Sequence, residues 1–320
     1  MRNIVVGIDI GGTNSPFSIL DETGYALAVN HNISTNEYDD VEKFVEAMHF
    51  EITRSMQQVA EPLNLCGIGI GAPNGNYYTG SIEFAPNLRW QGIIPLAELF
   101  KKYFEVPVYL TNDANAAAIG EMVFGGAKNM KDFIVITLGT GLGSGLVANG
   151  ELVYGHDAFA GELGHTIVVR DGRHCKCGRQ GCLETYVSAT GIKRTAFEMM
   201  ANLFNDSKLR SIPYNDLTSE QISIAALQGD VVALESFEYT GKLLGEKLAE
   251  AVAYTSPEAI FLFGGLAKAG DLIFNPTRFH LEKNLLNIYK NKVKLLPSGL
   301  PNANAAVLGA SALVWSKIAK

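Results

Sequence analysis

Residues 4–14, IVVGIDIGGTN, decide the architecture. The run from Ile4 to Ile10 is apolar and rich in β-branched side chains, the pattern of a strand buried on both faces. Asp9 is out of character for such a strand, and Gly11-Gly12-Thr13-Asn14 follows at once. A strand that ends in a carboxylate and turns on two glycines presents bare N–H groups and a hydroxyl, which suits phosphate, with Asp9 able to hold Mg²⁺ through water. The turn is neither a Gly-Lys-Ser/Thr loop nor Gly-x-Gly-x-x-Gly. Taken alone it equally suits a plain hairpin into a second strand at 17–20. Its echo is what matters. Residues 133–138 form another buried run that ends in Gly139-Thr140-Gly141-Leu142-Gly143-Ser144-Gly145, and residues 259–263 run into Gly264-Gly265. Repeated strand–glycine-turn units more than a hundred residues apart predict two duplicated lobes facing one another across a cleft.

Bulk properties remove several classes. The chain has 320 residues, enough for two domains or two lobes of one fold. A net charge of −7 argues against a nucleic-acid surface, which needs clustered Lys and Arg. No apolar run approaches the ~20 residues that span a bilayer. The N-terminus lacks the small-residue cleavage site of a secretory signal. Clustered thiols fit a reducing compartment, so the cytoplasm is expected.

Between the glycine turns, residues 41–59 carry apolar side chains at helical spacing behind Asp39 and Asp40, candidate caps. That makes Met48 and Met56 core residues. Residues 66–70 read as a strand, with Cys66 a packed small hydrophobe. In the loop 85–90, APNLRW, the Pro-Asn pair beside Trp90 suits either an amide placed over a sugar ring or an Asx turn with a packed Trp. A strand at 106–110 runs into Asn112-Asp113 and an alanine-rich helix, so a carboxylate stands at the mouth of an α/β sheet, where ligands bind. Capping is the competing use of Asn112 or Asp113, and one residue can cap while the other reacts. Further on, residues 205–215 read as a loop, Thr218–Gln221 as a capping box opening a helix closed by Gly229, 231–254 as a long amphipathic helix, and 302–320 as a small-residue helix.

Residues 161–184, GELGHTIVVRDGRHCKCGRQGCLE, hold three of the four cysteines and two of the six histidines. Thiolates and imidazole on a glycine-rich loop suit Zn²⁺. Cys175, Cys177, Cys182 and one histidine would fill a tetrahedral, structural site. His165 is the expected histidine because it ties the start of the segment to its end, whereas His174 adjoins Cys175 and closes only a short ring. A closed zinc site has no use for Glu162 and Glu184. With His165 they are expected to face a polyhydroxylated substrate from a metal-stiffened platform.

Asp9-x-Gly11-Gly12-Thr13, Asn112-Asp113-x-Asn115, Gly139-Thr140-Gly141-x-Gly143, Gly161-Glu162-x-Gly164-His165 and Cys175-x-Cys177-Gly178-x-x-Gly181-Cys182-x-Glu184 together resemble the ROK family (repressors, open reading frames and sugar kinases) of the actin-like ATPase and hexokinase superfamily. The resemblance covers essentially the whole chain. It implies an α/β, two-lobed actin-like ATPase (ribonuclease H-like) fold with mixed β-sheets flanked by helices and a central cleft. Residues 1–115 with 303–320 would form a smaller lobe, and 116–302 a larger one carrying the zinc loop.

The resemblance further implies ATP with Mg²⁺ bound between the lobes and a hexose phosphorylated on its 6-hydroxyl. Glucose is expected first, with N-acetylmannosamine, N-acetylglucosamine, fructose and allose as alternatives. Asp113 matches the family's catalytic base, and Asn87, Asn112, Glu162, His165 and Glu184 its sugar ligands. Asp9, Gly11, Gly12, Thr13, Gly139, Thr140, Gly141, Gly264 and Gly265 fall on the nucleotide side, and His165, Cys175, Cys177 and Cys182 match the zinc ligands. A homodimer is expected from the resemblance alone. Repressor members place a helix-turn-helix domain ahead of the first glycine motif. Here eight residues precede Asp9, and an intact Asp113 and acidic charge also point away from a repressor, with a non-catalytic sugar-sensing or repressor-like protein as the alternative class to a kinase. Two departures stand out: Asn74 replaces the Gly of a Pro-Gly pair, and Pro16 falls early in the second strand, where it should mark an edge or bulge.

Overall fold

In the computed structural model the described residues are 1–300 and 305–318, the side chains at 29–31 excepted. In chain order the strands are β1 (Arg2–Asp9), β2 (Asn14–Asp21), β3 (Ala26–Ser34), β4 (Leu63–Gly71), β5 (Gly75–Asn76), β6 (Ser81–Glu83), β7 (Ile93–Ile94), β8 (Val108–Thr111), β9 (Phe133–Leu138), β10 (Leu142–Ala148), β11 (Glu151–Leu152), β12 (Ala259–Phe263) and β13 (Lys294–Pro297). The helices are α1 (Val41–Gln57), α2 (Leu96–Lys101), α3 (Asp113–Val123), α4 (Ala189–Asn202), α5 (Ser219–Leu227), α6 (Val231–Thr255), α7 (Asp271–Asn284) and α8 (Ala305–Ile318). The expected helix at 302–320 is α8, with 302–304 and 319–320 outside the described residues.

The first sheet has the order β3-β2-β1-β4-β8 and the second β11-β10-β9-β12-β13. In each, the first strand pairs antiparallel with the second and parallel with the fourth, so one topology occurs twice. This is the duplication that the glycine turns predict. A small third sheet, β5-β6-β7, lies beside the first.

Alternation along the strands explains the layering. Ile4, Val6 and Ile8 of β1 pack with Phe44, Val45 and Met48 of α1, while Val5 shares a core with Val307, Leu308 and Val314 of α8. In the second sheet Ile134 and Ile136 face α4–α7, and Phe133 and Val135 face Ala117 and Ala118 of α3. Helices α3 and α8 therefore form a shared middle layer between the sheets. Close approach requires small residues there. A Cβ on Gly69 would lie 1.9 Å from the Ala310 carbonyl oxygen, and one on Gly120 would lie 2.9 Å from Gly309 Cα.

The structure settles three local expectations. Trp90 is buried, donates its indole N–H to the Tyr38 carbonyl (3.0 Å) and packs on Phe44, so of its two readings the packed Trp holds. Pro16 lies inside the sheet rather than at an edge. It sits just past the end of the β1–β2 ladder and beside an irregularity in the β2–β3 register, where its missing N–H costs least. The loop at 205–215 contains a short 3₁₀ helix, Lys208–Ser211, capped by the Ser207 side chain.

Candidate active site and metal centre

In the first sheet, β1, β4 and β8 run parallel, and Asp9, Gly71 and Thr111 align across them at their carboxyl ends. Ligands of α/β sheets collect at this edge. The Gly11–Asn14 turn follows β1 and is closed by a bond from the Gly11 amide to the Asn14 carbonyl (3.1 Å). Thr13 is exposed beside it. A Cβ on Gly12 would lie 2.3 Å from the Asn87 carbonyl oxygen, so the turn and the exposed Asn87 loop touch. Asn74 takes the left-handed turn itself (φ 51°) and donates to the carbonyls of Glu83 (3.0 Å) and Phe84 (3.3 Å). Asn tolerates that conformation better than other non-glycine residues.

At the end of β8, the cap, which the sequence leaves open between Asn112 and Asp113, falls to Asn112. The Asn112 side chain caps α3 by accepting from the Asn115 amide (2.7 Å), and Asp113 occupies the first helical position. The Asp113 side chain is exposed by area, yet the cleft walls crowd it. Lost hydration, with repulsion from Asp9, pushes its pKa up to about 7. Lost hydration likewise raises Asp9 to about 6.

The matching edge of the second sheet carries the other glycine turns. The Gly139 amide bonds the Gly141 carbonyl (3.0 Å) and the Gly143 amide the Thr137 hydroxyl (3.1 Å). With Gly11 and Gly139 so engaged, Gly12, Thr13, Thr140 and Gly141 are the turn residues whose amides donate no backbone hydrogen bond among the described residues. Gly264 adopts φ +102°, where a Cβ would strike the Leu138 carbonyl at 2.7 Å, and Gly265 is open beside it.

The segment from Gly161 lies flat on β10. A Cβ on Gly164 would meet the Leu142 carbonyl at 2.2 Å, and the Ser144 hydroxyl donates to the Gly161 carbonyl and accepts from the Leu163 amide. His165 points one ring nitrogen each way. Nε2 faces Glu162 (3.9 Å), and Nδ1 faces Cys175 Sγ and the Glu184 carboxylate (3.7 Å each). Glu184 Oε2 would lie 2.6 Å from a Cβ on Gly141, which ties this cluster to the β9–β10 turn. Loss of hydration and the nearby Glu184, only partly offset by His165, raise the Glu162 pKa.

Ligand atoms of His165, Cys175, Cys177 and Cys182 all lie within 4.8 Å of one another, with Cys177 and Cys182 sulfurs 3.6 Å apart. A tetrahedron with Zn–S bonds of ~2.3 Å has edges of about 3.8 Å, so this donor set fits Zn²⁺. His174 turns aside to Gln180 (3.3 Å).

Sequence reading passes over Arg173. It is buried on the face of the Tyr186 ring, donates to both Glu198 oxygens (2.8 and 2.6 Å) and to the carbonyls of Thr185 and Gly191, and thereby bolts the metal loop to α4. Its partners lie on elements that the loop sequence does not contain.

Known proteins are similar to this chain. A glucokinase of Halalkalibacterium halodurans is 35% identical over 97% of this chain and 94% of that enzyme. A xylose repressor of Bacillus spizizenii is 31% identical over 97% of this chain but 76% of that repressor. The crystal structure of a ROK family glucokinase from Streptomyces griseus, in complex with glucose and AMPPNP, superposes with a TM-score of 0.79 at 32% identity, covering 97% of this chain and 98% of that one. The ROK family model matches residues 5–317, and with the doubled sheet and the Cys₃His cluster in hand, the chain belongs to the ROK family.

Proposed function

We propose that the protein is an ATP-dependent hexose kinase, acting first on glucose, that transfers the γ-phosphoryl group to the 6-hydroxyl. The observation that carries this reading is Asp113. It is a carboxylate at a sheet mouth with a pKa of about 7, next to Ala114, which packs against Gly143 of the turn that Glu184 approaches at Gly141. A base poised near the working pH can take a proton from an alcohol and still be ionised often enough to act.

In this reading Glu162, Glu184 and His165 Nε2 hold sugar hydroxyls, with Asn87 and Asn112 at the opposite wall. Asp113 accepts the 6-hydroxyl proton as that oxygen attacks the γ-phosphorus, and ADP leaves with the bond electrons. The amides of Gly12, Thr13, Thr140 and Gly141 line the phosphates, with Gly264 and Gly265 beside the nucleotide. Mg²⁺, held near Asp9, would supply charge neutralisation on the phosphates. Zn²⁺ would stiffen the loop that carries Glu184 and His165.

A homodimer and a cytoplasmic setting belong to the same reading. Free thiols in metal-ligand geometry support a reducing compartment, and among the described residues no helix is long and apolar enough to cross a membrane. The smaller lobe at 1–115 with 303–320 and the larger at 116–302 are likewise part of it, with α8 packed under the first sheet in support. The test is a coupled ADP-release assay with glucose, N-acetylmannosamine, N-acetylglucosamine, fructose and allose. Glucose should give the highest kcat/KM. Sugar binding without ADP release would instead favour a non-catalytic sensor, the reading that the repressor relative supports.

A further inference from the structure

The glycine turn at 139–141 leans on the first turn of α4. The Ala189 amide donates to the Gly139 carbonyl (2.9 Å), and the Thr190 hydroxyl donates to the Thr140 carbonyl (2.7 Å). Part of the reason lies in α4 itself, because the first amides of a helix have no partner inside it and must find one outside. The Ser188 hydroxyl meets the Gly191 amide (2.9 Å), and the Ala189 amide turns to Gly139. A trans peptide is planar, with its C=O and N–H on opposite sides. With the Gly139 and Thr140 carbonyls drawn to α4, the amides of the same two peptides, Thr140 and Gly141, are turned away from it. Those two amides donate no backbone hydrogen bond among the described residues.

The start of α4 is a firm support for this arrangement. A Cβ on Gly191 would lie 2.5 Å from the Tyr186 carbonyl carbon, so the helix rests directly on the backbone that follows Glu184. Arg173 donates to the carbonyls of Thr185 (2.7 Å) and Gly191 (3.1 Å), and the Ser188 hydroxyl donates to the Glu184 carbonyl (2.7 Å). Thr190 is exposed, so core packing gives its hydroxyl no task. We propose that Thr190 is a positioning residue for phosphoryl transfer. Its hydroxyl fixes the Thr140–Gly141 peptide so that the Gly141 amide, beside the Thr140 amide set by Ala189, is aimed at the phosphate oxygens of the nucleotide. Donors held in place before the charge arrives need no reorganisation when it does. Without the hydroxyl this peptide is free to rotate, and the alignment is lost.

The inference rests on the kinase reading, and nucleotide binding separates the two. Thr190→Val keeps the shape and removes the hydroxyl, whereas Thr190→Ser keeps the hydroxyl. In Thr190→Val kcat should fall about tenfold, less than the roughly 10²–10³-fold that follows outright loss of such a donor, because the amide remains but is no longer held. Calorimetric titration should show ADP binding weakened about fivefold, the scale of one hydrogen bond, while adenosine, which has no phosphate, binds as it does to wild type. The Kd for glucose should stay within about twofold, since Glu162, Glu184 and His165 are untouched. Thr190→Ser should match wild type in all of these to within about twofold. The proposal is overturned if either kcat or ADP affinity of Thr190→Val stays within about twofold of wild type, or if Ser and Val at 190 do equal damage. It is also overturned if adenosine and glucose weaken as much as ADP, which would mark a general loosening of α4. Should Thr190→Val not fold, Thr190→Ala takes its place with the same expectations. A wild-type protein that neither binds ADP nor phosphorylates a sugar sinks the kinase reading and this inference with it, whereas active wild type with an unaffected Thr190→Val sinks this inference alone.

Discussion

At the scale of single residues, one pair of carboxylates sets the pH behaviour. As the proposed base, Asp113 must be ionised to accept a proton, and its pKa is raised to about 7 by lost hydration and by Asp9. Activity should therefore rise as pH rises through about 7. At pH 6 roughly a tenth of the sites would hold the base form, so kcat/KM for glucose should be about tenfold below its plateau. Removing the Asp9 charge lessens the repulsion, so Asp9→Asn should move this limb to lower pH. A pH profile of kcat/KM at saturating ATP checks both statements, and a limb that stays put in Asp9→Asn removes the electrostatic link. Asp113→Ala should lower kcat by about 10²–10⁴-fold, the usual range for general-base catalysis, while isothermal titration still detects glucose and nucleotide. Retained turnover would take the role of base away from Asp113. This residue was legible because a carboxylate sits where an apolar strand meets an alanine-rich helix. Which neighbour caps was not legible, since Asn and Asp both serve as caps, and only the Asn112–Asn115 bond decides.

At the scale of elements, the metal loop is a platform whose shape depends on close backbone contact. Gly181 sits at φ +78°, and a Cβ there would fall 1.7 Å from the Val169 carbonyl oxygen, so no side chain fits. Gly181→Ala should displace Cys182 from the donor set. Zinc measured by atomic absorption should drop from about one per chain to well below that, and glucose affinity should fall with it. Zinc at full occupancy in Gly181→Ala would show that the loop adapts. Chelation of the wild-type protein should likewise weaken glucose binding and lower Tm, because Glu184 and His165 belong to the same loop. Spacing of cysteines and glycines made this element readable in advance. So did the Thr218–Gln221 capping box, which forms with both of its bonds. Other elements were hidden by packing that the local sequence does not record. Helix α7 keeps Pro276 in its interior, and it does so against Gly241 of α6, where a Cβ would lie 2.6 Å from the proline ring. Neither residue predicts the other from its own neighbourhood. Trp90 left two readings open for a related reason: its place in the core depends on Tyr38 and Phe44, about 50 residues earlier in the chain.

At the scale of the whole molecule, the duplicated sheet topology gives two carboxyl edges, one with Asp9 and Asp113 and the other with the Gly139–Gly141 and Gly264–Gly265 turns, joined by the α3–α8 layer. The duplication was readable because a strand ending in a glycine turn recurs, whereas the shared helical layer was not, since its Gly-to-backbone contacts arise only on assembly. Thr13 and Glu162 are both exposed here, so the cleft as it stands admits water. Water at the position of the 6-hydroxyl would compete for the γ-phosphoryl group, and a productive kinase must bring the edges together only once sugar is held. Hydrolysis of ATP without sugar should then be at least roughly 10²-fold slower than glucose phosphorylation, because the base and the phosphates are not yet aligned. A ligand that makes every sugar contact but lacks the reacting oxygen separates closure from chemistry. Saturating 6-deoxyglucose should reduce the radius of gyration seen by small-angle X-ray scattering and should raise ATP hydrolysis above its sugar-free rate, water taking the vacant place. An unchanged radius together with an unchanged hydrolysis rate would mean that sugar binding does not bring the lobes together, and that the exposed cleft is already the working one.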